Sequence, residues 1–209
     1  MKYSLLMVLL ITVWPVTATC QEPVHAKTDS GKEVILNADG TWKYATEAPP
    51  KPNPSAGFNK SAGANKVFKS DRGEFSIWYD ETKWQLRPKS ADSEPGRTSF
   101  NLRRGDGYGI LITEEIGMPI SSLKKVALDN AKEIAPDARV VFEETRTVNG
   151  KEIVCMKIDL TVEQIPFRYF GYYYSGKQGT VQFLTYTAQN LFEKYEQDFV
   201  GLLNGLEIE

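Results

Sequence analysis

Hydrophobic residues fall into three regimes along this chain. Ser4 to Val13 is an almost unbroken run of Leu, Ile, Val and Met. Between Lys27 and Tyr44 apolar residues alternate briefly, and from about Val67 onward alternation at period two gives way twice to helical spacing. Period two sends neighbours to opposite faces of a strand, whereas period 3.6 gathers them on one face of a helix. The chain therefore reads as an apolar leader, a small β segment and one larger domain of mixed strands and helices.

Within the large domain, Phe75 to Tyr79 and Trp84 to Leu86 read as short strands. Thr98 to Arg104 and Tyr108 to Ile116 flank Gly105-Asp106-Gly107, a hairpin signal. Pro119 to Ala135 switches to helix, with Leu123, Val126, Ala127, Ala131 and Ile134 on one face, Ser121 or Ser122 as cap and Pro136 as stop. Arg139 to Val148 and Lys151 to Val162 flank Asn149-Gly150, the strongest short hairpin signal. Ile165 to Ser175 and Thr180 to Thr187 flank a turn from Gly176 to Gly179. A last helix, starting near Thr187 or Ala188, carries Leu191, Phe192, Tyr195, Phe199, Leu202 and Leu203 on one stripe. Strands joined by tight hairpins are antiparallel. The expected class is α+β: an antiparallel sheet covered by amphipathic helices, in sandwich form.

Upstream, turn clusters at Asp29-Ser30-Gly31 and Asn37 to Gly40 bracket Val34 and Leu36, and Trp42 and Tyr44 follow on one face. This predicts a small N-terminal β-hairpin or meander. Pro49, Pro50, Pro52 and Pro54 then make a semi-rigid extended spacer with a flexible end running to Lys66. The expected layout is a leader over residues 1–20, a β segment over 21–46, a Pro-rich tether over 47–66 and the main domain over 67–209.

Lys2, the apolar run and the small residues Val16 to Cys20 match a secretory signal peptide. The run is too short for a span of about 20 apolar residues. Cleavage after Ala18 and cleavage after Cys20 both fit the small-residue zone; lipidation of Cys20 is a third reading that matches poorly, because Thr17 and Thr19 stand where lipoprotein signals carry Leu and a Gly, Ala or Ser. A lipid on Cys20 would anchor the chain to a membrane; without it the expectation is a periplasmic or extracellular protein.

Composition adds mainly exclusions. Charged residues make up 25% of the chain and the formal net charge is −2, so the basic stripe of a nucleic-acid binder is missing. The single His, His25, lies in a polar stretch, and Cys155 has no His within its element. The pairs Glu114-Glu115 and Glu143-Glu144 point to opposite strand faces. Asn37-Ala38-Asp39-Gly40 echoes the middle of a calcium loop but puts Ile35 at the first ligand position. No catalytic set, metal site or cofactor is implied, and an enzyme is not expected.

The order of elements, from the aromatic strand Gly73 to Tyr79 through Trp84 to Phe192-Glu193-Lys194-Tyr195 and a closing strand near Leu206 to Ile208, resembles the PsbP-like fold family. That family includes a photosystem II extrinsic subunit, a nuclear Ran-binding protein and DcrB-like envelope lipoproteins. Separately, Gly31 to Trp42 looks like the Asp-Gly-Thr-Trp segment of exported bacterial proteins of unknown function. The resemblance implies binding or assembly work, usually non-catalytic, on varied partners; with the leader, the expectation is a non-catalytic envelope module that binds another envelope protein, and the alternative is a periplasmic carrier or sensor of a small apolar ligand. Candidate partner-binding residues are Trp42 and Tyr44, together with Phe170, Tyr172 and Tyr174 from the aromatic run Phe167 to Tyr174. Those last three are core if the sheet is covered on both sides and a patch if one face is open.

Overall fold

The computed structural model describes residues 24–27, 33–36, 42–44, 57–88 and 94–209. The chain divides into two units, residues 1–53 and 54–209. Cys20 lies outside the described residues.

In the first unit, β1 (Val24–Lys27), β2 (Glu33–Leu36) and β3 (Trp42–Tyr44) form an antiparallel meander in the order β1-β2-β3. Val34 pairs with Tyr44 and Leu36 with Trp42. The strand before Asp29 extends the hairpin that the turn residues predict. The side chains of His25, Trp42 and Tyr44 lie outside what is described.

The second unit begins with β4 (Lys66–Lys69), β5 (Phe75–Tyr79), β6 (Trp84–Leu86), β7 (Arg97–Leu102) and β8 (Tyr108–Glu114). Helix α1 (Ile120–Ile134) follows, then four long strands: β9 (Arg139–Val148), β10 (Lys151–Val162), β11 (Ile165–Gly176) and β12 (Gly179–Ala188). Helix α2 (Phe192–Leu203) and β13 (Leu206–Ile208) close the chain. Among the described residues, one sheet has the order β6-β7-β8-β12-β11-β10-β9 and a smaller one the order β13-β5-β4. Their pairings are antiparallel, so the class is α+β as the hairpin spacing predicts.

Two apolar layers sit on the two faces of the large sheet. On one face α2 and the small sheet enclose Phe75, Trp84, Phe100, Phe183 and Phe199. Burial of a side chain of this size contributes about 1.5–3 kcal/mol, so this layer dominates the stability. On the other face Leu123, Ala127 and Ala131 of α1 pack on Met156, Ile158, Leu160 and Tyr173. The alanines let the helix lie close to β10 and β11.

The Asn149-Gly150 turn behaves as its sequence dictates, with φ of 46° and 81°, both in the left-handed region. Four other expectations need correction. Val126 and Ile134 are not buried with Leu123: they are 39% and 57% exposed, because α1 covers β10 and β11 and its flank overhangs. Ser121 and Ser122 do not cap α1; Pro119 precedes its first residue and no side-chain cap bond forms. The last helix starts at Phe192, after a 3-10 turn over Gln189–Leu191. The Thr187 hydroxyl donates to the Asp106 carbonyl at 2.6 Å and holds its residue in the strand.

The fourth correction concerns the end of the proline-rich stretch, which is built into the second unit. Phe58 N–H donates to the Thr147 carbonyl at 2.8 Å, and its own carbonyl accepts from Asn149 N–H at 2.9 Å. The Arg146 guanidinium lies 4.5 Å from the Phe58 ring centroid, a cation–π contact. An aromatic residue in a Gly/Ala/Ser-rich stretch thus finds a slot at the hairpin end. Residues 57–66 are part of the domain surface rather than spacer.

Candidate functional site

Strand register fixes which side chains share the α1 side of the large sheet. One row across β7, β8, β12 and β11 reads Arg97, Ile112, Gln182, Tyr173. The next reads Ser99, Ile110, Leu184, Gly171, and a third Asn101, Tyr108, Tyr186, Tyr169. Alternation sends their neighbours Phe100, Leu111 and Phe183 into the α2 layer. Gly171 is where Tyr173 folds back: a Cβ there would lie 3.1 Å from the Tyr173 hydroxyl and 2.9 Å from Leu184 Cβ.

Helix α1 packs on β10 and β11, and its flank covers β8 and β12 only in part: Ile110 and Ile112 stay half-buried, whereas Leu184 is 9% exposed. Between the helix flank and these strands runs a groove of about 350 Å³. Ile110, Ile112 and Leu184 are its floor, Ala131 and Ile134 its helix wall, and Arg97 marks its outer strand. That volume is at the small end of the roughly 300–1,000 Å³ typical of small-molecule sites.

At one end of the groove three tyrosines cluster. The Tyr108 and Tyr186 rings stack with centroids 5.1 Å apart, and Tyr169 lies 5.5 Å from Tyr186. Burial pushes the Tyr169 and Tyr186 hydroxyls above their ordinary pKa, each reinforced by a neighbouring tyrosine; the Arg97 charge opposes this at both, and Arg87 also opposes it at Tyr186. Arg87 Nε donates to the Asn101 amide oxygen at 3.2 Å in the orientation that satisfies both groups. Arg97 reaches Glu94 at only 3.8 Å, outside hydrogen-bond range.

The candidates of the aromatic run lie elsewhere. Phe170 and Tyr172 are 1% and 0% exposed, which removes them from any partner surface. Phe170 packs edge-on to Phe192 at 5.9 Å. The Tyr172 hydroxyl donates to Asn204 Oδ1 at 2.8 Å and accepts from Arg146 Nη1 at 3.2 Å. Tyr174 is half-buried against Phe75, its hydroxyl donating to Gln178 Oε1 at 2.8 Å. Both faces of β11 are covered, one by the α2 layer and the other by α1, so Phe170 and Tyr172 take the core reading. The one local signal for the groove was Tyr108, Ile110 and Ile112 alternating on a strand next to a Gly-rich turn.

Cys155 is fully buried, and burial first of all pushes its thiol up to about 12. A thiolate nucleophile needs the opposite shift. Glu143 pairs with Lys124 at 2.6 Å, Glu144 with Arg146, and Asp159 takes a two-pronged bond from Arg168 at 2.7 and 2.8 Å. A second depression near Lys83, Arg103 and Asp198 is polar, and Lys83 is already held by Asp198 at 2.7 Å.

No protein-family model and no curated protein sequence matches the chain. Among solved structures it is similar to the cyanobacterial PsbP protein (CyanoP) of Synechocystis sp. PCC 6803, with 12% identity and a TM-score of 0.52 over 71% of this chain and 95% of that one. Other similarities are to a Bacteroides thetaiotaomicron VPI-5482 protein, with 13% identity and a TM-score of 0.43 over 70% and 49% of the two chains. A third is to LpqN, involved in cell envelope biogenesis of Mycobacterium tuberculosis, with 10% identity and a TM-score of 0.38 over 67% and 89%. The fold is PsbP-like.

Proposed function

We propose that this chain is an exported, non-catalytic binding module whose second unit takes an apolar-bodied ligand in the groove beside α1. The observation that carries this reading is the groove at the flank of α1, where the half-buried Ile110 and Ile112 and the buried Leu184 meet the overhanging Ile134. Aliphatic side chains gathered in one concave strip on regular elements are how small-molecule sites are built. The α2 side is a filled aromatic layer, so the ligand lies in the half-open groove and is not enclosed. Export rests on the leader from Lys2 to Cys20. An envelope protein engaging Trp42 and Tyr44 through the proline-rich stretch would be a second contact, adding effective concentration if both engage.

Photo-cross-linking in cells tests this, with a photoreactive residue at position 134 or, as a control, at exposed position 152. A small-molecule adduct from 134 and none from 152 is expected. A protein adduct from 134 would turn the groove into a protein-docking site. Equal labelling from both positions contradicts the reading.

A further inference from the structure

The apolar strip ends on a cationic edge, and that pairing narrows the ligand's chemistry. Arg97 shares a row with Ile112, and Arg87 meets the Asn101 side chain, which pairs across from Tyr108. Both arginines are exposed. Glu133, exposed on the helix wall, is the one acidic side chain of the groove lining among the described residues. Arginine presents a planar fork of donors that matches carboxylate and phosphate oxygens. Tyrosine hydroxyls can add further donors.

The floor argues against a sugar or a nucleobase. Recognition of those rings uses open aromatic faces, but Tyr108 and Tyr186 occupy each other at 5.1 Å and 24° from parallel. Ile110, Ile112, Leu184, Ala131 and Ile134 offer aliphatic contact instead. A groove of about 350 Å³ suits one chain.

Resting on the groove-binding reading above, we propose that the ligand is a single-chain amphiphile with an anionic head. Its carboxylate or phosphate lies against Arg97 and Arg87, and its aliphatic chain lies along Ile110, Ile112 and Leu184.

Isothermal titration of the exported chain with dodecanoate, dodecyl phosphate and dodecyl maltoside, each below its micelle concentration, tests the claim. Both anionic probes are expected to bind at least about tenfold more tightly than the neutral one, the order expected for a charge-assisted hydrogen bond. Arg97→Gln combined with Arg87→Gln should erase that preference, bringing the ratio of anionic to maltoside affinity to about one. Whichever anionic probe binds more tightly identifies the head group as carboxylate or phosphate. Equal binding of all three overturns the anionic head while leaving groove binding intact. Binding of none overturns both. Arginine substitutions that leave the preference in place also overturn the head-group assignment.

Discussion

The Tyr186 ring of β12 stacks on the Tyr108 ring of β8, centroids 5.1 Å apart. The two residues are also direct cross-strand partners. This pairing sets β8 beside β12, with α1 and the strands β9 to β11 intervening in sequence. It leaves the α1 side of β8 and β12 at the margin of a helix that packs on β10 and β11. The groove follows from that offset.

The offset predicts a contrast between two residues on α1. Leu123 is 1% exposed and Ile134 is 57% exposed. Leu123→Ala should cost about 2–5 kcal/mol in urea unfolding. Ile134→Asp should cost no more than about 1 kcal/mol, mostly from a carboxylate at the negative end of the helix, while weakening binding in the groove at least about tenfold. Equal destabilisation by both would mean that Ile134 belongs to the core.

The β10–β11 turn should be improvable. Glu163 and Gln164 both have positive φ, 48° and 67°, at positions where Asn-Gly is preferred. A left-handed conformation costs an ordinary residue roughly 1–2 kcal/mol. Replacing the pair by Glu163→Asn with Gln164→Gly should raise stability by about 1 kcal/mol, read as a higher urea midpoint at unchanged slope.

Alkaline pH should destabilise the fold through buried acids. Burial raises Cys155 from 9.0 to about 12 and Tyr172 from 10.0 to about 12. Above pH 9 the unfolded chain loses these protons while the folded chain keeps them. Their contribution is therefore whole below pH 9 and is lost as pH rises toward 12. Each group can weaken the fold by at most about 1.4 kcal/mol per pH unit. Urea midpoints at pH 8 and pH 10.5 should diverge less in Cys155→Ser than in the parent chain.

Arg146 should act as the clasp of the incoming segment. It covers the Phe58 ring at 4.5 Å and donates to the Tyr172 hydroxyl at 3.2 Å. In Arg146→Ala, cleavage by trypsin after Lys60 should accelerate at least about fivefold relative to global unfolding, since local opening governs such nicking. Arg146→Lys should rescue poorly, because an ammonium lacks the planar fork.

Much of this was legible from local chemistry. The Asn149-Gly150 hairpin, the alternation of Val154 to Leu160 and the stripe from Phe192 to Leu203 each depend on a few neighbouring residues. The groove is not of that kind. Val126 and Ile134 carry the same periodicity as Leu123 and Ala127, and nothing in helical spacing says how wide a sheet lies beneath. Phe170, Tyr172 and Tyr174 share one strand face, and whether that face is covered depends on where α2 lands. Phe58 sits in a stretch rich in Gly, Ala and Ser, and its place beside Val148 is a long-range bridge that no pattern announces.

Amide chemical-shift mapping with dodecanoate tests the central claim most directly. The account predicts perturbations concentrated at Ile110, Ile112, Leu184, Ala131 and Ile134, abolished by Ile134→Asp. Perturbations around Lys83, Arg103 and Asp198, or none at saturating probe, would contradict it.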